Sequence, residues 1–506
     1  MHLSTLLLAL GFCFSVAVYI FRSPSIKRHG KALKRPPNTL PLAGNGLLFL
    51  QARHKLFSWF VKCERQFGFE TFQISVPSLP PGVVINDPKN LEYVFKNEGI
   101  FSKGDFFKRR SWDLFGNGII NADGELWKVQ RKAGLHFLNN ANLKVFTEVA
   151  LPRYLEESVR ALQKESFVDL QDVLHELTTQ LMGRMAYDME MHHSDPFSKA
   201  FDFASGATGE RFQNPLWQIT EIFLGGRFRD SVKKVKAFGS NIVSKAILAR
   251  KQKDESTSKA TVSEMRKDED IMSISGSLIN SLLESIEDHQ MVADAALNYL
   301  TAGRDTTAQA LTWAFYLLMR HPHTIQKLRT EITNLNNQTP SASSDQEPDP
   351  STAKYSLTSI PYAMAIFYET LRLYPPVPFE LKQCSQPTTL PDGTYLPKDS
   401  ILVWATWAMN RSHTTWGPDA DSFIPERWLD PAGNLISRSA FEFPVFNGGS
   451  RTCLGKKMAE MVAVQTICTL VDKFDFEAMD GRERVSRNSL TLPMEGGLGY
   501  FVRVRR

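Results

Sequence analysis

Cysteine is scarce in this chain: five residues in 506, at Cys13, Cys63, Cys384, Cys453 and Cys468. The odd count and wide scatter exclude a disulfide framework and fit a reducing compartment. No pair has zinc-finger spacing. Charge of one sign is also in short supply. The net charge is +5, and part of it is a basic cluster near the N-terminus, so nothing argues for a nucleic-acid partner. No internal repeat is visible. No G-x-G-x-x-G opens a helix in a strand–helix unit, which excludes that dinucleotide- or flavin-binding fingerprint. What remains is ordinary globular composition, 42% hydrophobic and 22% charged. Length alone suggests about three domains.

Leu3 to Phe21 is almost unbroken apolar sequence. At about 1.5 Å per residue it spans roughly 28 Å, close to the hydrocarbon core of a bilayer. Arg22, Lys27, Arg28, Lys31, Lys34 and Arg35 follow it, and no Lys or Arg precedes it. The positive-inside rule then puts the rest of the chain in the cytoplasm. A cleaved signal peptide would show a basic leading segment and a small-x-small cleavage site, and neither is clear. The expectation is an uncleaved anchor over 1–21 and a basic, proline-rich hinge over 22–46. Leu56 to Phe67 reads as a helix stopped by Gly68. Thr71 to Val76 and Gly82 to Ile85 read as a strand pair. Lys251 to Asp270 and Asn334 to Lys354 are polar, and read as surface connectors. Leu490 to Val504 reads as a terminal hairpin around Gly496 and Gly497, its turn dipping into a pocket.

Two stretches carry chemistry. His289 to Arg320 is helix-compatible without a proline, and Pro322 follows. Such a helix spans about 48 Å, and its apolar faces require it to cross the middle of a domain. Its centre, Ala302-Gly303-Arg304-Asp305-Thr306-Thr307, is a poor helix former. Threonine hydroxyls there can bond carbonyls one turn back and open the helix locally. The second stretch is Phe446-Asn447-Gly448-Gly449-Ser450-Arg451-Thr452-Cys453-Leu454-Gly455, with a helical pattern directly after it. Glycines admit backbone N–H groups close to the sulfur. The following helix end favours thiolate over thiol. Arg451 has the charge to pair with an anionic group of a bound cofactor. A lone cysteine in a glycine turn is ordinarily a packed thiol, so the full pattern F-x-x-G-x-R-x-C-x-G, at Phe446, Gly449, Arg451, Cys453 and Gly455, is what matters. Glu369 and Arg372 form E-x-x-R at a pairing distance on a helix.

On these motifs the chain resembles the cytochrome P450 family of heme-thiolate monooxygenases, nearly from end to end. The resemblance overrides the length prior and implies a mainly α fold with small β-sheets, as one large heme-thiolate catalytic domain over 47–506 behind an N-terminal transmembrane helix. It implies heme b as cofactor and Cys453 as the axial iron ligand. By the same resemblance, Trp127 and Arg131 (W-x-x-x-R) and Arg451 hold heme propionates, Phe446, Gly449, Gly455 and Gly303 surround the heme, and Thr306 and Asp305 (A-G-x-D-T-T) bind oxygen and relay protons. Glu369, Arg372 and Arg427, the last from Pro425-Glu426-Arg427-Trp428, form a structural network. Phe101 to Ile120 becomes a loop over the distal pocket, and two aromatic-rich segments between Phe197 and Phe228 its roof. Lys382 stands where many relatives carry a propionate-binding arginine, and it keeps the charge but not the fork. The implied partners are O2, an NADPH-dependent flavoprotein reductase received on Lys128, Lys132, Lys456 and Lys457, a lipophilic substrate, and the endoplasmic reticulum membrane. Fragments such as Pro-Pro-Val-Pro-Phe resemble the fatty-acid and alkane hydroxylase branch, and Gly448-Gly449-Ser450 resembles fungal members. The expected reaction is therefore oxygen insertion at an aliphatic carbon of a fatty-acid-like or polyketide-type secondary metabolite. The alternatives are a hydroxylase of primary lipid metabolism and a heme-binding protein without catalysis.

Overall fold

The computed structural model describes residues 11, 26–41, 43–76, 79–256, 274–338 and 355–505. The expected anchor over 1–21 lies outside them except for residue 11. Among the described residues no helix is long and apolar enough to cross a membrane. Part of the basic stretch is tied down. Lys27–Arg28 pairs with Lys31–Ala32 on one side and with Thr394–Leu396 on the other.

Helix α1, Arg53–Phe67, buries Leu56, Phe57, Phe60 and Phe67 along one face. It stops as expected at Gly68, whose φ of 54° suits glycine. Strands β1 (Phe72–Ile74) and β2 (Gly82–Val84) pair antiparallel. With β3 (Phe101–Ser102) they belong to a five-stranded sheet described below. The segment expected as a loop, Phe101 to Ile120, is mostly helix: α2 spans Gly104–Phe115. Two glycines set its ends, Gly104 at φ 67° and Gly116 at φ 49°. Its inward residues Arg110, Ser111, Leu114 and Phe115 hold it against the core. Helix α3, Gly124–Phe137, carries Trp127 and Arg131.

Strand β4 (Phe167–Asp169) leads into helix α4, Leu170–Tyr187. Of the two segments expected as a roof, α5 (Pro196–Gln213) takes that place and α6 (Trp217–Leu224) does not. Ile219, Ile222, Phe223 and Leu224 of α6 are exposed. Helix α7, Gly226–Ser256, continues six residues into the stretch expected as a connector. The helix Pro322–Gln338 likewise takes the first residues of the second expected connector. The remainders of both lie outside the described residues.

Helix α8 is His289–Arg320, with the predicted bounds. Asp288 caps it, accepting from the Gln290 and Met291 N–H groups at 2.7 and 3.3 Å. It is buried on nearly all sides, from Val292 to Leu318, because α4, α7, α9 (Pro361–Leu373) and a later helix all pack on it. Strands β5 (Glu380–Cys384) and β6 (Ile401–Trp404) complete the larger sheet in the order β1-β2-β6-β5-β3. β6 runs parallel to β2, with Leu402 opposite Val83. That later helix, α10 (Lys456–Lys473), packs on both α8 and α9. Strand β7 (Phe474–Ala478) pairs with β8 (Gly499–Val504), which also pairs with β4.

The E-x-x-R pair is completely buried, with Glu369 and Arg372 both at 0% exposure. Arg372 donates twice to the Glu369 carboxylate, both at 2.8 Å. Arg427 Nε donates at 3.2 Å, and so does the Ile424 N–H at 2.9 Å. Trp428, where the family pattern has phenylalanine, adds a donor that a phenyl ring lacks: its Nε1–H meets Glu369 Oε2 at 2.9 Å. Arg372 spends its remaining N–H groups on the Asn410, Ala420 and Ser422 carbonyls. Glu369→Gln is expected to cost about 3–5 kcal/mol, since it leaves buried cations uncompensated. Trp428→Phe is expected to cost about 1–3 kcal/mol, the value of a bond to a charged acceptor. Urea unfolding midpoints check both, and a Trp428→Phe protein as stable as its parent would remove the indole from the network.

Candidate functional site

A cavity of about 540 Å³, measured as space for the centre of a water molecule, opens between α8 and the cysteine loop. Its lining is mostly apolar and includes Cys453, Thr306, Arg131 and Phe379. The loop is built by its backbone. Residues Pro444–Phe446 and Gly449–Arg451 make short 3-10 turns, and the Cys453 N–H donates to the Phe446 carbonyl at 2.8 Å. Gly449 has φ 64°, and a Cβ on it would stand 2.4 Å from the Phe95 carbonyl oxygen. Only glycine fits that close approach. Gly455 is different. Its Cβ would meet nothing nearer than the Cys453 sulfur at 4.0 Å.

Cys453 lines this cavity, open to it but enclosed by the surrounding protein. Burial pushes its thiol up; the Gly455 and Lys456 N–H groups and the Arg131 charge pull the other way. The expected helix-end effect is therefore present but is outweighed by desolvation. A cation bound at the sulfur would shift that balance, because a coordinated thiol loses its proton.

Cationic groups gather on one side of the cavity. Arg131 donates to the Thr452 carbonyl at 3.0 Å. Arg451 donates to the Ala122 carbonyl at 3.0 Å and to Asp123 at 2.7 Å, and its guanidinium lies 4.4 Å from the Trp127 ring. Trp127 and Arg131 share a face of α3, as their spacing requires, with the guanidinium 5.4 Å from the ring. Lys382, on β5, is 4% exposed. No described residue accepts a hydrogen bond from it. Burial lowers its ammonium to about 7, and Lys103 and Arg451 add to the shift. A buried ammonium without a partner beside two arginines and an indole N–H is the donor set for an anion. The cavity thus suits a flat group carrying carboxylates at one edge and a metal over Cys453, and heme fits that description.

Across the cavity, Ala302 is exposed at the centre of an otherwise buried helix. That turn of α8 therefore faces the open space. Thr306 Oγ1 donates to the Ala302 carbonyl at 2.7 Å, the local bond expected of it. Gly303 lines the cavity too, but its missing side chain faces α4, where a Cβ would meet Met182 Sδ at 2.5 Å. Asp305 is buried next to Arg304, with Oδ1 3.4 Å from Nη1. That oxygen has no hydrogen-bond partner. Burial raises the Asp305 carboxyl to about 6 against the pull of Arg304, and Asp202 raises it further. Arg304 is itself fully buried, donating to Thr179 and facing His193 Nδ1, each at 3.1 Å.

The tip of the C-terminal segment dips into the cavity, as expected, but the tip is Asn488 to Thr491 and not the glycine pair. The Glu495 N–H donates to Val485 and the Arg487 N–H to Pro493, which closes the hairpin around that tip. Gly497 instead passes Asp169, where a Cβ would stand 1.8 Å from Oδ2. On the roof, Phe212 of α5 meets Phe107 and Phe106 of α2 at 5.2 and 6.4 Å. Lys128, Lys132, Lys456 and Lys457 are all exposed. Arg304 is the variable position of its motif and carries no signal in the sequence. Lys382 is legible as a lysine where many relatives carry arginine, but its burial has no local signature. The Trp428 indole is legible as a departure from the family pattern.

Asp305 binds its proton more tightly folded than unfolded, so its contribution to stability is full below about pH 4 and is lost as pH rises through about 6. Asp305→Asn is expected to lack that decline between pH 4 and 6 and to be at least as stable as the parent at pH 7. Urea midpoints across this range check it; parallel curves for both proteins would assign the decline elsewhere.

Comparison with known proteins agrees with the site. The family model described as Cytochrome P450 matches residues 35–497. Cytochrome P450 86B1 of Arabidopsis thaliana is 31% identical over 449 residues, covering 85% of this chain and 78% of that protein. The cytochrome P450 monooxygenase cyp1 of Mycosarcoma maydis is 30% identical, covering 91% and 73%. Cytochrome P450 94A1 of Vicia sativa is 28% identical, covering 93% and 90%. With a family match across nearly the whole chain and a cavity that opens on the signature cysteine, this protein belongs to the cytochrome P450 family, whose members are heme b monooxygenases.

Proposed function

We propose that this P450 hydroxylates an aliphatic carbon of a long-chain, fatty-acid-like substrate, drawing electrons from an NADPH-dependent flavoprotein reductase at the endoplasmic reticulum membrane. The observation that carries the reading is the largely apolar cavity that runs to Cys453 past Thr306. The net reaction is RH + O2 + two electrons + two protons giving ROH and water. Heme b supplies the iron centre on which O2 is reduced.

The chain's own residues do the rest. Cys453 would hold the heme iron through its thiolate, which would supply electron density to the metal. Arg131, Arg451, Lys382 and the Trp127 indole would hold the propionates, with charge-assisted bonds from the arginines. Phe446 and Gly449 would shape the loop under the cofactor, Gly455 borders the sulfur at the start of α10, and Gly303 lets α8 pack closely on Met182 of α4 beside the cavity. Thr306 has a hydroxyl on the cavity side whose proton already leans on Ala302, so its oxygen would be free to accept and pass protons there. Asp305, held near neutral pH by burial, loads that hydroxyl, since a group titrating near the working pH transfers protons best. The aromatic roof of Phe106, Phe107 and Phe212 excludes water. Lys128, Lys132, Lys456 and Lys457 present a basic surface to an acidic reductase, and the apolar stretch Leu3 to Phe21 anchors the chain.

The first test is the spectrum of the reduced, carbon-monoxide-bound protein, where a strongly red-shifted Soret band is expected. Cys453→Ser is expected to lose that band and all turnover; retained activity would sink the ligand assignment. Thr306→Ala is expected to keep the band but divert electrons, raising hydrogen peroxide released per NADPH several-fold. Unchanged coupling would take Thr306 out of the mechanism. Side-by-side turnover of a long-chain fatty acid and an aromatic polyketide decides the substrate class, and turnover of neither, with reductase present, would leave heme binding without catalysis.

A further inference from the structure

Arg53 is the first residue of α1, and its position is electrostatically unfavourable. The N-cap is Ala52, which offers no side-chain bond, and no acidic residue stands in the first turn. A cation there faces the positive end of the helix dipole. Among the described residues no carboxylate reaches it and no group accepts its hydrogen bonds. Its one partner is the ring of Phe57, 5.4 Å from the guanidinium carbon. Yet Arg53 is not a free surface cation. It lines the cavity, beside the apolar Phe49, Leu56, Phe60 and Leu79. Desolvation lowers its guanidinium to about 9.

The other cavity cations are spoken for. Lys103 pairs with Glu380 at 3.0 Å. Arg451 pairs with Asp123, Arg131 bonds Thr452, and Lys382 stands with them at the cofactor edge. Arg53 is left over, and its neighbours Ala52, His54 and Lys55 are exposed, so it sits where the cavity reaches the surface. A guanidinium in this setting takes an anion. One positive charge and a planar fork match one carboxylate in charge and geometry, whereas a phosphate dianion would bury an unbalanced charge.

We propose that Arg53 anchors the carboxylate of a long-chain fatty acid at the surface end of the cavity, so that the hydrocarbon runs inward and oxidation falls on carbons remote from the carboxylate. This rests on the fatty-acid-like substrate reading above and supplies its polar contact. Arg53 is a binding residue that sets orientation and specificity.

The test is calorimetric binding of decanoate and of methyl decanoate to the heme-loaded enzyme, each below its aggregation limit, for the parent, Arg53→Gln, Arg53→Ala and Arg53→Lys. The parent is expected to bind the acid about tenfold or more tightly than the ester, the worth of a charge-assisted bond. Arg53→Gln and Arg53→Ala are expected to erase that ratio by weakening the acid alone, leaving the ester's affinity as it was. Arg53→Lys is expected to keep part of the preference, since it retains the charge without the fork. A ratio unchanged in Arg53→Gln would overturn the anchor while leaving a fatty acid as substrate. A parent that binds neither ligand, with its thiolate carbon-monoxide band intact, would overturn both the anchor and the fatty-acid reading. The red-shifted band, measured on every variant, identifies correctly folded protein, and the two neutral substitutions give independent readings of the same ratio.

Discussion

The Glu369 carboxylate is the interaction on which the active-site half of the molecule depends. Five donors converge on it: two from Arg372, and one each from Arg427, the Ile424 backbone and the Trp428 indole. Through Arg372 the same centre collects the Asn410, Ala420 and Ser422 carbonyls. These groups come from one helix and three loop segments that have little regular structure of their own. A buried carboxylate without its partners would be very costly, so the segments are held together or not at all. The link to the sulfur is short. The Trp428 ring packs on Phe443 at 4.8 Å, and Phe443 leads directly into the turn that places Phe446 and Cys453.

Helix α8 poses the opposite problem. Its flanks are apolar and buried, but its central turn carries Gly303, Arg304, Asp305 and Thr306, which weaken a helix. The structure resolves this by dividing the turn between two faces. Ala302 and Thr306 look into the cavity, and Thr306 satisfies itself on a carbonyl one turn back. Arg304 turns toward α4 and its following segment, where Thr179 and His193 meet the guanidinium, and Asp305 stands between it and the cavity wall. Asp305 is left incompletely bonded, and its burial is what holds its proton near neutrality, with Asp202 adding to the shift. A fully satisfied carboxylate there would be an ordinary ion-pair partner with no proton to give.

Charge is distributed unevenly over the cavity. One edge gathers Arg131, Arg451 and Lys382, and Arg53 stands apart at the surface end. Apolar lining makes these cations conspicuous: Arg451 and Arg131 keep protein partners, whereas Lys382 and Arg53 have lost water without gaining a hydrogen-bond acceptor among the described residues. Two anionic demands account for them: carboxylates of the cofactor at the first position, and a carboxylate of the substrate at the second.

Much of this protein was legible in its sequence. The bounds of α8, the stop of α1 at Gly68, the β1–β2 pair and the E-x-x-R pair follow from local rules of period, capping and spacing, which act over a few residues. The cysteine loop is equally local, because glycine geometry and a helix start are written in ten consecutive positions. The assignment of Phe101 to Ile120 to a loop failed because two positive-φ glycines bound a helix there, and their meaning depends on the neighbours they approach. The hairpin tip moved from Gly496 and Gly497 to Asn488–Thr491 for a similar reason: the glycines serve a close passage by Asp169. What the sequence determined by itself is the family, the fold class and the sulfur at its centre. What only the tertiary structure decided is which polar groups lose water without a partner. Asp305 and Lys382 are marked in the sequence by motif position and Arg53 is not, but the lost hydration that gives all three their chemistry arises from burial by segments tens to hundreds of residues away.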